Sequence, residues 1–110
     1  MNQISYEDFA KLEIKIGTIL SVEVVPDADK LLCLTVDVGE VAPRQILSGI
    51  REFFTDPHSL IGTQHPFLTN LAPRTIRGLE SQGMILAAGN DETFSLLSPD
   101  TPLPPGTIVR

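Results

Sequence analysis

The sequence predicts an all-β fold: a single domain over residues 1–110, built as a small five-stranded barrel with short helices and extended flanking segments. Three observations predict it. Residues 12–25 alternate apolar and polar side chains over a long strand with a glycine, Gly17, near its middle. Further strand-like runs at 31–38, 44–50, 64–71 and 83–88 are bounded by turn residues. One short helical pattern, at 56–62, separates the first three runs from the last two.

Taken in chain order, Ser5 followed three residues later by Asp8 has the spacing of a capping box. Tyr6, Phe9 and Ala10 give this short entry helix an apolar side. Along 12–25, Leu12, Ile14, Ile16, Leu20, Val22 and Val24 share one parity while Glu13, Lys15, Ser21 and Glu23 take the other, which makes a half-buried strand. Gly17 has no side chain to pack, so it marks a bulge or sharp bend of the kind a strand needs to serve two sides of a barrel. Pro26-Asp27-Ala28-Asp29 is turn chemistry, because proline presets its φ and the Asp side chains bond nearby amides. The second strand puts Leu32, Leu34, Val36 and Val38 on one face, and the third, after the turn at 39–43, puts Ile46 and Ile50 together. Asp56 as N-cap, Pro57 at the first helical position and Gly62 as the stop frame one or two helical turns. Pro66 cannot donate to a ladder, so the strand at 64–71 is expected at a sheet edge or to carry a bulge. A last short strand is expected at 94–98, and 98–106 is Pro-rich and extended before the apolar pair Ile108-Val109. No internal repeat or domain boundary interrupts the chain.

Three strands, a helix and two more strands is the order of an OB barrel, whose sheet face and loops commonly bind oligonucleotides. A small sandwich gives similar strand counts, and fold alone does not give function. The formal net charge of −6 argues at first sight against nucleic acid. Screening, however, confines exposed charges to about 8 Å at physiological salt, so distribution outweighs the sum. Between Pro57 and Leu79 there is no Asp or Glu, and that window holds His58, His65, Arg74 and Arg77. The run from Asn70 to Ala88 sets two arginines and two small polar side chains on a turn-rich segment leading into an apolar strand, an arrangement that can hold a polyanion against a sheet.

Other chemistry finds little support. His58 and His65 are separated by six residues broken by Gly62, without a Cys or carboxylate at ligand spacing, so no metal is expected; Asp27 and Asp29 read as turn acids. Nucleophile elbow, phosphate loop, His-Glu zinc pattern and triad are all lacking, so neither catalysis nor a cofactor is expected. Cys33, the single cysteine, lies in an apolar strand pattern and reads as packing. The first residues lack the basic start and apolar run of a signal peptide, and no stretch approaches the roughly 20 apolar residues of a membrane span. A cytoplasmic protein is the expectation.

Asp8-Phe9-Ala10-Lys11-Leu12-Glu13-Ile14-Lys15-Ile16-Gly17-Thr18-Ile19, Ala28-Asp29-Lys30-Leu31-Leu32, Gln45-Ile46-Leu47-Ser48-Gly49-Ile50 and Asn70-Leu71-Ala72-Pro73-Arg74 with Arg77 to Ala88 carry a resemblance. In this order and spacing the chain resembles the structure-specific tRNA-binding domain found free-standing in bacteria and appended to methionyl-tRNA synthetases and related proteins. The resemblance implies an OB fold that recognises the shape of folded tRNA, usually as a homodimer, beside an aminoacyl-tRNA synthetase or as a free tRNA chaperone. By motif position it places the RNA contacts at Lys30, at Arg74 and Arg77 in a loop, and at Ser81, Gln82 and Met84 at the loop's end. The chemistry agrees: guanidinium forks suit phosphate, Ser81 and Gln82 can donate to phosphate or ribose, and Met84 offers an apolar platform. Two departures lower the expected affinity, Pro66 in what is usually a valine-rich strand and Thr75 where a basic residue is common. A protein-binding module of the secretion-chaperone branch of the fold is the alternative, and suits the acidic surface better. Phe9, Leu103, Ile108 and Val109 are expected to be buried against a partner chain.

Overall fold

The computed structural model describes residues 2–110, so Met1, part of the expected single domain, lies outside the described residues. The entry helix α1 (Tyr6–Phe9) is a single turn closed by the capping box: Ser5 Oγ accepts from Asp8 N at 3.1 Å and Asp8 Oδ2 accepts from Ser5 N at 3.3 Å. Among the described residues nine strands follow: β1 (Ile14–Val24), β2 (Leu32–Asp37), β3 (Arg44–Ser48), β4 (Gln64–Leu68), β5 (Arg74–Ile76), β6 (Leu79–Ser81), β7 (Met84–Ile85), β8 (Ala87–Gly89) and β9 (Phe94–Leu96). The predicted helix at 56–62 is a single 3-10 turn, Pro57–Leu60, capped by Asp56; a second 3-10 turn, Arg51–Phe53, has no counterpart in the sequence pattern.

Five strands form one antiparallel sheet in the order β3-β2-β1-β4-β7, and it curls into a nearly closed barrel. β1 makes the curl possible: residues 14–18 pair with β4 and residues 18–24 with β2. Gly17 sits at the crossover, where an added Cβ would lie 2.6 Å from Val36 Cγ1 and 2.8 Å from Phe67 Cδ1. The close approach of two core side chains to bare backbone is what this glycine permits.

The bend changes which residues face in. Ile14, Ile16, Ile19 and Val22 are buried, whereas Leu12, Leu20 and Val24, expected on the inner face, are exposed. A register shift against β2 between Ile19 and Ser21 makes Leu20 the extra residue of a bulge, and the simple alternation fails there. The core inside the barrel is Ile19, Leu32, Leu34, Val36, Ile46 and Phe67, all fully buried.

β4 is neither an edge strand nor bulged, contrary to the expectation from Pro66: it lies between β1 and β7 in continuous register. The missing N–H acts on its neighbour instead. Leu86 N donates to Pro66 O at 3.0 Å with no return bond available, and the expected strand at 83–88 divides there into β7 and β8. β8 pairs with β9 in a small separate hairpin.

The Pro-rich tail runs along the other edge of β1, with Gly106 N donating to Ile16 O, Ile16 N to Thr107 O and Val109 N to Ile14 O at 2.7–2.9 Å. Leu103 and Val109 are thereby half-buried within their own chain, as is Phe9, while Ile108 stays exposed. His65, also in β4, is buried; its Nδ1–H donates to the Leu97 carbonyl at 2.7 Å and its Nε2 meets the Thr63 hydroxyl at 2.8 Å.

Candidate nucleic-acid interface

The Arg74 and Arg77 segment is not a loop. β5 and β6 form a β-hairpin, with Arg74 opposite Ser81, Thr75 opposite Glu80 and Ile76 opposite Leu79. Its two-residue turn is Arg77-Gly78, with φ of +54° and +79°. Positive φ at both positions is the type I′ geometry that matches strand twist, here with an arginine where Asn or Gly is usual. Ile76 and Leu79 pack down on Val25, Ala28 and Leu47, beside Leu31 and Cys33, making a second small core on the outer face of β2 and β3. Cys33 is half-buried there, and burial pushes its thiol pKa up, which suits packing rather than reactivity.

Polar contacts fix the hairpin's base. Ser81 is buried; its Oγ accepts from Leu47 N at 3.0 Å and donates to Gly83 O at 3.1 Å. Gln82 Oε1 accepts from Gln45 N at 3.0 Å, and Gln82 N donates to Gln45 O at 2.8 Å. These bonds tie β3 to the segment before β7 across the gap left in the nearly closed barrel. Asn70 anchors the run's start, with Oδ1 accepting from Glu13 N at 2.8 Å and Nδ2 donating to Lys11 O at 2.7 Å.

Arg44 is the residue that sequence reading passed over. It forms a two-point pair with Glu40, Nε to Oε1 at 2.8 Å and Nη2 to Oε2 at 2.7 Å. Its Nη1 donates to the carbonyls of Thr69 and Gln82, bracketing the segment that carries the hairpin. The pair holds the Glu40 carboxyl below its usual range and raises Arg44. Opposite charges four residues apart across the 39–43 turn were the available signal. A hydrogen bond from Thr69 and the nearby Lys15 likewise lower Glu13.

Of the six expected contact residues, Lys30, Arg74, Arg77 and Met84 are exposed, Gln82 is half-buried and Ser81 is buried. Lys30 lies in the turn before β2, its carbonyl accepting from Arg51 N at 3.1 Å. It shares with Arg77 a cleft of about 290 Å³, walled by Asp27, Asp29 and Leu31. Arg74 stands on the hairpin's strand and Met84 on β7 opposite Leu68, so neither lines that cleft. The arrangement is a hairpin edge that exposes Lys30, Arg74 and Arg77 among the carboxylates of Asp27, Asp29 and Glu80, with the sheet face beneath it already occupied by apolar packing.

Residues 14–108 match the family model described as "Putative tRNA binding domain". The chain belongs to this tRNA-binding domain family. The domain is 52% identical over 108 residues to the methionine–tRNA ligase of Methanospirillum hungatei, covering 98% of this chain and 16% of the ligase. Against the methionine–tRNA ligase of Xylella fastidiosa strain M12 identity is 48%, with 97% and 15% covered. The chain thus spans about a sixth of the length of these curated relatives. A solved MetRS-related protein from Pyrococcus horikoshii superposes with a TM-score of 0.91 at 31% identity, covering 100% of both chains. The chaperone CsaA of Bacillus anthracis gives 0.87 at 29%, covering 99% and 100%. In this tRNA-binding domain, no helix among the described residues is long and apolar enough to cross a membrane.

Proposed function

We propose that this chain is a noncatalytic module that recognises folded tRNA by its shape, acts as a homodimer, and serves beside an aminoacyl-tRNA synthetase or as a free tRNA chaperone. The observation that carries the reading is the β5–β6 hairpin: two exposed guanidinium groups on an element locked to the barrel, in a chain whose residues 14–108 match a tRNA-binding domain. Arg74, Arg77 and Lys30 bind phosphates, while Gln82 and Met84 meet ribose or base. Ser81 acts from within, fixing Gln82 and the start of β7 through its two hydrogen bonds. Homodimerisation is supported by Ile4, Tyr6, Leu12 and Ile108, which are 48–72% exposed apart from Tyr6 at 76% and lie on segments leading into or paired with the start of β1.

A second reading, a protein-binding chaperone, draws on the likeness to the CsaA fold and the net charge of −6. Titration with native bulk tRNA, the same RNA unfolded by heat and chelation, and an unfolded polypeptide separates the two. The tRNA reading expects native tRNA to win clearly. Preference for the polypeptide, or equal binding of both RNAs, contradicts it. Light scattering at micromolar concentration is expected to give twice the chain mass; the mass of one chain rejects the homodimer.

A further inference from the structure

We propose that the cleft between the Arg51–Phe53 turn and the β8–β9 hairpin binds one unpaired guanine of the RNA, stacked on Phe53. This rests on the reading that the chain binds tRNA, and adds to it a stacking site that the arginine hairpin does not provide. Phe53 is 38% exposed and lies flat on Phe94, ring centroids 4.0 Å apart and planes within 7°. Phe94 in turn meets Phe54 edge-on at 6.1 Å and 87°, and both pack against the barrel core. The outer ring is therefore held rigidly by the two beneath it. A preorganised aromatic face offers a base its stacking energy with little ordering of the protein.

The walls specify the ligand. The cleft, of about 340 Å³, is lined by Lys30, Glu52, Phe53 and Asp91. Two carboxylates repel a phosphate, so a base edge enters here rather than the backbone. Carboxylate oxygens accept from N–H groups, and guanine alone among the common bases presents an adjacent N1–H and N2–H pair for one carboxylate to accept together. Lys30 suits the O6 atom or the flanking phosphate. It also lines the cleft that holds Arg77, so the hairpin tip and the stacking site adjoin through a shared residue. An unpaired guanine is needed, since a paired one has its Watson–Crick edge occupied.

Guanosine 5′-monophosphate and uridine 5′-monophosphate are titrated into the protein by NMR, and bulk tRNA is titrated against wild type, Phe53→Leu, Phe53→Tyr and Asp91→Asn. The guanine nucleotide is expected to move the Phe53, Phe94 and Asp91 signals at lower concentration than the uridine nucleotide. Phe53→Leu is expected to weaken tRNA binding about 5- to 100-fold, Phe53→Tyr to retain it, and Asp91→Asn to abolish the preference for guanine over uridine. Equal response to both nucleotides, or unchanged tRNA affinity in Phe53→Leu, overturns the proposal and leaves the tRNA reading intact. Guanine binding at Phe53 in a protein that ignores tRNA sinks the tRNA reading and upholds the cleft. Should Phe53→Leu fail to fold, the nucleotide titration and Asp91→Asn decide.

Discussion

A buried N–H with a single acceptor is a point of vulnerability, and Leu47 depends on Ser81 for that acceptor. Removing the hydroxyl leaves the amide unpaired away from water. Ser81→Ala is expected to destabilise the fold by about 1–3 kcal/mol in urea unfolding. The effect on tRNA affinity should appear only as the hairpin loosens, so a folded Ser81→Ala protein that binds tRNA as wild type at low temperature fits this role. Gly17 is the other sensitive position, since a methyl group there meets Val36 and Phe67 at 2.6 and 2.8 Å. Gly17→Ala is expected to cost about 1–3 kcal/mol by overpacking, read as a lower urea midpoint; an unchanged midpoint would contradict the crossover geometry. The bend was legible from this glycine in the sequence. The switch from Leu20 to Ile19 as the core residue was not, because both are apolar and the bulge is set by where β2 aligns its Thr35 and Val36.

Three-residue strands fall below the length at which alternation carries information, which is why the β5–β6 hairpin read as a loop. Arg-Gly is also not the Asn-Gly or Asp-Gly turn that announces a type I′ hairpin. The sequence proposes the arginines as phosphate ligands; their placement on a paired hairpin, tied down by Arg44, Ser81 and Gln82 from distant positions, required the tertiary fold. Arg77 holds a left-handed backbone at φ +54°, a conformation costing an L residue roughly 1–2 kcal/mol. Arg77→Gly is therefore expected to raise the unfolding midpoint while weakening tRNA binding. A variant that loses stability would show that the arginine side chain supports the turn. Pro66 likewise signalled a lost ladder bond correctly, but only the partner strand reveals that the loss divides β7 from β8.

For the whole molecule, acid stability follows from three groups with one sign. Burial holds the His65 pKa below its usual 6.5, so the unfolded chain takes up a proton first and stability declines as pH falls from about 6.5 toward the folded value. Glu13 and Glu40, held below 4.5 by Thr69 with Lys15 and by Arg44, contribute stability that is present above about pH 4.5 and lost as pH falls through their folded values. Two successive losses are expected on acidification. His65→Gln should flatten the first, which begins as pH falls through about 6.5, and leave the second. Charge poses the larger question, because a chain of net charge −6 is asked to bind a polyanion. On the proposed reading the attraction comes from direct contact of Lys30, Arg74 and Arg77 with phosphates, made against the neighbouring Asp27, Asp29 and Glu80, while the more distant acids are screened. The direct measurement is the salt dependence of tRNA affinity for wild type and for the Arg74→Ala plus Arg77→Ala double variant. The plot of log affinity against log salt should be shallower in the variant by roughly 1.4–1.8, the loss of two phosphate contacts, with weaker binding at every salt concentration. Identical slopes and affinities, or no wild-type binding at about 50 mM salt, would contradict the assignment of the hairpin as the RNA-binding element.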